Sequence, residues 1–458
     1  MFEPGWSLPR LASLLLCVLA CSVSLPRGLA QQSPAPDFQF TKVDDDLLSE
    51  ANATDALYEK QGLVMHDPAL QSYIDAVGKR VLGDRPVPEK VQFQFKALRD
   101  TMVNAFALPN GTVYITTGLL ALLQNEAQLA GVLGHETAHV YDRHSYLENR
   151  SIRKKSLTLN ILAIAGSWAP IGPGAAGAFG AAIYVGAEVS SIVLVATVYG
   201  YSREMEWMAD SDGLKAMTAA GYDPHAMADA FALLDQDRTL EFEPYNTFYH
   251  DHPKLIARKQ KAQDFANANT PAGAFTGSEK DYLAAVTPAI TDNIANDIEN
   301  RRARTAVARA ARLAAAFPDE PRYQVLVADG YRALGARAPV PSQQDLTPDG
   351  EDLQRKEYFK MTEQEEQKKL LTKPEGRETL KANQAQSEKL FLAVIQSHPN
   401  YAAAYRDLGF LYQDEARYSD AAAQYHHYLD LVASTSLDHL RIEHRLAEVN
   451  KLEAAQAH

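Results

Sequence analysis

The residues able to do chemistry gather in two short stretches, Gly134-His135-Glu136-Thr137-Ala138-His139 and Ser202-Arg203-Glu204-Met205-Glu206-Trp207-Met208-Ala209-Asp210. Residues four apart on a helix share a face, so the imidazoles of His135 and His139 can reach one ion. Glu136 is turned about 100° from His135, beside that ion rather than on it. A general base that takes a proton from the metal's water must sit there. Imidazole nitrogens suit zinc, and three protein ligands leave a fourth position open for water. Leu129, Val132, Leu133, Ala138 and Val140 make the helix apolar, so the polar groups lie in a buried wall and need a partner such as a metal.

The third ligand must come from elsewhere in the chain. In a helix, Glu206 and Asp210 also share a face. Glu206 can ligate the metal, and Asp210 can accept a hydrogen bond from a ligand histidine and fix its tautomer. The ordinary alternative for these acids is a solvated helix face with Arg203 as ion partner. A metzincin would need glycine at 142 and histidine at 145, where Asp142 and Ser145 stand. His144 falls at the wrong helical phase to join the other two and is expected beside the ligand set or on the surface.

These stretches need elements to hold them. Residues 40–90 read as helical, and Val91 to Phe95 alternate with period two as a half-buried strand does. Val103 to Leu108 and Thr112 to Thr116 flank Pro109-Asn110-Gly111, a turn signal between two strands. Asn125 with Gln128 three residues on fits a capping box, opening a helix expected to run to about Ser145. Residues 156–202 contain Glu188 as their only acid and are rich in Gly and Ala, broken by Pro170 and Pro173. They suit two helices packed closely through small residues, with a membrane-inserted or membrane-touching hairpin as the alternative.

From about residue 275 the composition turns to Ala, Arg, Glu and Tyr at helical spacing. Tyr405, Leu408, Gly409, Tyr412, Ala421 and Tyr425 fit the tetratricopeptide pattern, with Phe391 and Pro399 in the preceding copy and Pro318 and Tyr331 in a weaker one. Generic helical hairpins are the simpler alternative. The expected organisation is a signal peptide at 1–30, a metalloprotease domain at 31–270, a helical linker with the first repeat-like helices at 271–337, a charged insertion or linker at 338–380 and repeats at 381–458.

The 458 residues carry a formal charge of −13, which disfavours nucleic acid as a partner. Arg10 precedes the apolar run Leu11 to Ala20, too short to span a bilayer, and Gly28-Leu29-Ala30 offers a cleavage site. A second reading lipidates Cys21 within Val18-Leu19-Ala20-Cys21. The two cysteines, Cys17 and Cys21, both lie in this leader, leaving no disulfide in the mature chain. That suits a bacterial periplasm, and sequons at Asn52, Asn110 and Asn149 are read as chance.

The two motifs together resemble the zinc metallopeptidase family that includes HtpX and the CAAX prenyl endopeptidases. Asn104-Ala105-Phe106-Ala107-Leu108-Pro109-Asn110-Gly111 resembles that family's hairpin before the catalytic helix, and His252-Pro253 with Arg258 its His-Pro-x-x-x-x-Arg element. The resemblance covers roughly residues 40–265. It implies a mostly α fold with a small β-sheet, of the gluzincin HExxH type, followed by the helical repeats. It implies one zinc ion on His135, His139 and Glu206, Glu136 as catalytic base, and Asp210 as a residue that orients a ligand or donates a proton. His252 is expected either to approach the metal or to be a loop histidine bonded to backbone. An export signal and repeat tail are similar to the periplasmic branch associated with outer-membrane protein quality control. The implied activity is hydrolysis of misfolded or unassembled envelope proteins, with assembly machinery as a docking partner. A chaperone-like adaptor with a structural metal site is the alternative.

Overall fold

The computed structural model describes residues 38–151, 201–237, 255–336 and 371–456. Residues 38–40 belong to a short first unit, Met1–Phe40, and the chain from Thr41 onward forms one compact second unit. The second unit is mostly helical with one three-stranded sheet.

It opens with helices α1 (Lys42–Lys60) and α2 (Pro68–Leu82). The 40–90 stretch, expected to be helical, forms two helices. Gly62, at φ +70°, breaks the first, and Val64 forms an isolated bridge to Leu98. Asp67 then caps α2 by accepting from Ala69 and Leu70 N–H groups, with Pro68 in the first turn, where its missing N–H costs nothing.

The sheet runs β1 (Gln94–Leu98), β3 (Thr112–Thr116), β2 (Ala105–Ala107) in spatial order. The first strand begins three residues later than the alternating pattern suggested. Val91 N–H is drawn back into a turn onto Pro88 and Gln92 N–H onto Asn110. β1 pairs parallel to β3 with Phe95 opposite Val113, and β2 pairs antiparallel with Phe106 opposite Tyr114. The β2–β3 turn needs its glycine: Gly111 sits at φ +99°, and a Cβ there would lie 2.8 Å from the Gln92 carbonyl oxygen. β3 is buried along its whole length, which is why Thr112-Val113-Tyr114-Ile115-Thr116 reads without clean alternation.

Thr116 ends β3 and caps the short helix α3 (Thr117–Leu122) by accepting from Leu119 N–H. Helix α4 (Glu126–Tyr141) follows, capped by Asn125 accepting from Gln128 N–H. The reciprocal half of the box is shifted: the Gln128 side chain accepts from Gln124 N–H at 2.7 Å, not from Asn125. The helix also stops earlier than residue 145. Asp142 caps its C-terminus, Arg143 adopts φ +56°, and helical structure resumes at residue 144.

Helix α5 (Arg203–Ala219) lies across α4, capped by Ser202 accepting from Met205 N–H. The crossing is made by two glycines in direct apposition. A Cβ on Gly213 would meet His135 N at 2.7 Å and Gly134 C at 2.9 Å, both backbone atoms. Small residues therefore let the metal-binding candidates of two helices come within reach of each other. Gly213→Ala is expected to cost about 1–3 kcal/mol by overpacking. It should also weaken zinc retention, because it levers Glu206 away from α4; urea denaturation and metal titration of the variant check both.

Helices α6 (His225–Asp237) and α7 (Leu255–Asn269) pack beside this pair. One continuous hydrophobic core runs from Met65 through β1–β3, α4 and α6 and on into α8 (Glu279–Glu299), α9 (Ala303–Ala316) and Tyr323. A second core joins α10 (Pro321–Ala336), α11 (Pro374–Ser397), α12 (Ala402–Asp414), α13 (Tyr418–Leu431) and α14 (Leu437–Gln456). Within it Leu408, Tyr412, Ala421 and Tyr425 are buried, and a Cβ on Gly409 would meet the Tyr425 ring at 2.3 Å. The aromatic thus packs on bare backbone of the facing helix. Helix α11 begins at Pro374, inside the stretch expected as an insertion, because a proline at the first helical position starts a helix well. The leader, the Gly/Ala-rich 156–200 and residues 337–370 lie outside the described residues. Among the described residues, no helix is long and apolar enough to cross a membrane.

Candidate metal centre

His135, His139 and Glu206 converge, all three buried. The two imidazole Nε2 atoms are 3.0 Å apart. Glu206 Oε2 is 3.6 Å from His135 Nε2, and its Oε1 is 3.7 Å from His139 Nε2. Two ligands at zinc–nitrogen and zinc–oxygen lengths, in tetrahedral array, are separated by about 3.3 Å. The observed separations bracket that value, so a zinc-sized cation fits the donor set with small side-chain adjustment.

Charge makes the same point. Glu136, Glu206 and Asp210 are buried carboxyls, and Arg258 is the buried guanidinium among them. Among the described residues, and with neutral imidazoles, three carboxylates against one guanidinium would leave two negative charges in a low-dielectric pocket. Uncompensated buried charge is costly, and a divalent cation balances this excess. The strain shows on Glu136. Burial pushes its carboxyl up to about 7; the Glu206 and Asp210 charges add to this, while His135 and Arg258 oppose it.

Asp210 lies one turn beyond Glu206 on α5, and its Oδ1 is 2.9 Å from His135 Nδ1. A carboxylate there holds the imidazole proton on Nδ1 and leaves Nε2 as a lone pair facing His139 and Glu206. Burial works against charge on Asp210, but Arg258 and His135 more than offset it and hold the carboxyl well below its usual range. Burial likewise opposes charge on His135, and the Asp210 hydrogen bond and charge outweigh it, raising the imidazole's pKa.

Arg258 on α7 supports both acids. Its Nε and Nη2 donate to the two Asp210 oxygens at 2.8 and 2.7 Å, a bidentate pair, and its Nη1 is 3.3 Å from Glu206 Oε2. The Phe231 ring of α6 lies under the guanidinium, 4.6 Å from centroid to Cζ. Arg258→Met should lower the stability of the metal-free protein by about 3–5 kcal/mol, because it strands buried carboxylates. The loss should shrink when zinc is present, since the cation then takes over part of that charge; paired urea melts with and without metal check this.

His144 is buried against His139, with the two Nδ1 atoms 2.9 Å apart. It stands outside the ligand set, as expected from its helical phase. Of the two expected places it takes the one beside that set, because α4 ends before it and the chain folds back. Burial, with the charge on His135, pushes its pKa down to about 4, so it is neutral near pH 7. Tyr201 stacks on the His139 ring, 4.0 Å away between centroids and 20° from parallel, and its ring also lies 5.7 Å from that of His144. His252 lies outside the described residues.

Arg258 entered the sequence reading only as the end of the His-Pro-x-x-x-x-Arg element, with no chemical role, and Tyr201 had no role there. For Arg258 a signal was present: Leu255, Arg258, Ala262 and Ala266 form the buried stripe of α7. An arginine at an apolar stripe position needs a buried acid. For Tyr201, next to the Gly/Ala-rich stretch, no such pattern exists.

Residues 68–266 match the model of Peptidase family M48. A Vibrio cholerae protein, provisionally named a beta-barrel assembly-enhancing protease, is 32% identical over 265 residues, 55% of this chain and 52% of its own. The Escherichia coli (strain K12) beta-barrel assembly-enhancing protease is 30% identical over 233 residues, 48% of this chain and 44% of its own. The Schizosaccharomyces pombe mitochondrial metalloendopeptidase OMA1 is 29% identical over 194 residues, covering 42% of this chain and 52% of its own. The chain thus spans about half the length of the curated relatives it matches. Similarity and geometry fall on one stretch: residues 68–266, which match Peptidase family M48, carry His135, His139 and Glu206.

Proposed function

We propose that the chain is a zinc-dependent endopeptidase that hydrolyses misfolded or unassembled proteins of the bacterial envelope. The observation that carries this reading is the convergence of His135, His139 and Glu206 from two helices, with the Glu136 carboxyl buried next to one of them. A purely structural metal site, as in an adaptor, has no use for such a carboxyl.

In this reading His135, His139 and Glu206 hold one zinc ion. Zinc held there supplies Lewis acidity, acidifying water and polarising the scissile carbonyl. Glu136 takes the proton from the attacking water and returns it to the leaving amine. A carboxyl whose pKa burial has already raised toward neutrality is matched to both halves of that task. Asp210 keeps the His135 proton on Nδ1, and Arg258 keeps Asp210 ionised.

Strand β2 supports a substrate mode. Among the described residues it is an edge of the sheet and pairs on one side with β3. An edge strand offers backbone N–H and C=O groups to an extended chain, and such pairing reads backbone rather than sequence. That suits unfolded clients. The helical hairpins α10–α14 are the part we assign to docking clients or assembly machinery, as repeat-like helix stacks do through a concave face. The names of the bacterial relatives refer to beta-barrel assembly, and with them we assign outer-membrane proteins as clients; the periplasm is the location that reading requires. The test is hydrolysis of an unfolded protein such as reduced casein by the zinc-loaded chain, with Glu136→Gln as control. Equal turnover by both proteins overturns the reading.

A further inference from the structure

The two histidines of the centre are held in different ways. His135 is braced by an anion, Asp210, which Arg258 braces in turn. His139 has a neutral partner. Helix α4 ends at Tyr141, and Arg143 takes the left-handed conformation at φ +56°. In an uninterrupted helix, residue 144 would sit about 140° around the axis from residue 139 and face away. The reversal at Arg143 instead folds His144 back, with ring centroids 4.9 Å apart and planes at 71°. Both residues are buried, His139 at 2% and His144 at 1% exposure.

The short distance fixes a direction. Two imidazole nitrogens 2.9 Å apart with no cation site between them cannot both be lone pairs or both be N–H groups, so one donates to the other. The His135 and His139 Nε2 atoms, 3.0 Å apart, differ because both face the position of the ion. His139 Nε2 faces His135 Nε2 and Glu206, so its lone pair is needed there and its proton must sit on Nδ1. His144 Nδ1 is then the acceptor, and the His144 proton is on Nε2. That nitrogen is buried with no hydrogen-bond partner among the described residues, Asp142 Oδ2 lying 4.0 Å away. Tyr201 closes the arrangement by stacking on the His139 ring while its hydroxyl meets Ser145 Oγ at 2.7 Å, on the residue next to His144.

We propose that His144 is a positioning residue for the metal: by accepting the His139 Nδ1 proton it holds His139 in the tautomer and ring orientation that present Nε2 to the ion. The inference rests on the metal-centre reading above and adds to it a residue that touches neither metal nor substrate. It also accounts for the left-handed Arg143. A non-glycine residue there carries a conformational cost, and the return of His144 to His139 is what that conformation achieves.

The test uses an isosteric pair in the full chain. His144→Asn places its amide oxygen about where the imidazole Nδ1 lies, and His144→Leu has the same shape with no acceptor. Both lose the ring, so the difference between them reports the hydrogen bond. Zinc affinity is measured by competition with a chromogenic chelator, and circular dichroism of the metal-free variants establishes that they fold. The expected result is an affinity for His144→Leu about 10- to 100-fold below wild type, the range for partners that orient metal ligands, with His144→Asn recovering most of it. Equal affinities for wild type and the leucine variant overturn the proposal, as does equal weakening in both variants. If the leucine variant does not fold, His144→Phe, which keeps a ring without an acceptor, takes its place with the same expectation. Wild-type protein that holds no zinc overturns the metal-centre reading itself, which is a separate outcome.

Discussion

Glu136→Gln is expected to remove peptide hydrolysis while leaving zinc in place. General-base catalysis contributes about 10²- to 10⁴-fold, and kcat should fall by that factor at least. The substitution keeps the side chain's volume in a buried position, so neither folding nor the three converging ligands should change. The informative signature is the split between the two measurements: metal content near one equivalent, turnover near background. The pH profile adds a second. A base must be deprotonated to act, so kcat/KM should fall as pH drops through the Glu136 pKa. Burial raises that carboxyl to about 7 without metal. A bound cation stabilises the carboxylate and draws the value down. The acid limb should therefore lie at or below about pH 7 in the zinc-loaded protein. A limb that persists unchanged in residual Glu136→Gln turnover contradicts the assignment.

The second large effect is on Glu206. Glu206→Gln removes the anionic member of the donor set but preserves its size beside Arg258 Nη1, 3.3 Å away. Zinc affinity should fall by more than about 100-fold, beyond what loss of an orienting partner costs. Activity should fall with it and return partly at high zinc concentration, which distinguishes a ligand from a base. Protons compete for the same centre. The His135 pKa is raised above its ordinary 6.5 in the metal-free chain by Asp210, despite burial. Metal needs the neutral imidazole, so apparent zinc affinity should decline by about tenfold per pH unit below that pKa. Titrations between pH 5 and 8, in wild type and Glu206→Gln, measure both effects.

Much of the site was legible from residue spacing. The four-residue intervals His135–His139 and Glu206–Asp210 are local properties of a helix, and the structure brings His135, His139, Glu206 and Asp210 together. The mostly helical fold with a small sheet was legible for the same reason, since periodicity and turn residues are local. What periodicity could not supply was where regular structure stops. Arg143 is an ordinary residue in a left-handed conformation, with no glycine or proline to announce it, and the position of His144 depends on it. The depth of Arg258 was written in the stripe of α7, but its partners lie 48 and 52 positions earlier in the chain and are known only once α7 packs on α5. The glycine pair at the α4–α5 crossing is of the same kind: each residue is unremarked alone and decisive together.

The most direct measurement is anomalous diffraction at the zinc edge from crystals of the full chain grown with one equivalent of zinc. The account predicts one strong peak, about 2.0–2.2 Å from His135 Nε2, His139 Nε2 and a Glu206 carboxylate oxygen. A folded chain with no peak between these three side chains, or with its zinc bound elsewhere, contradicts it.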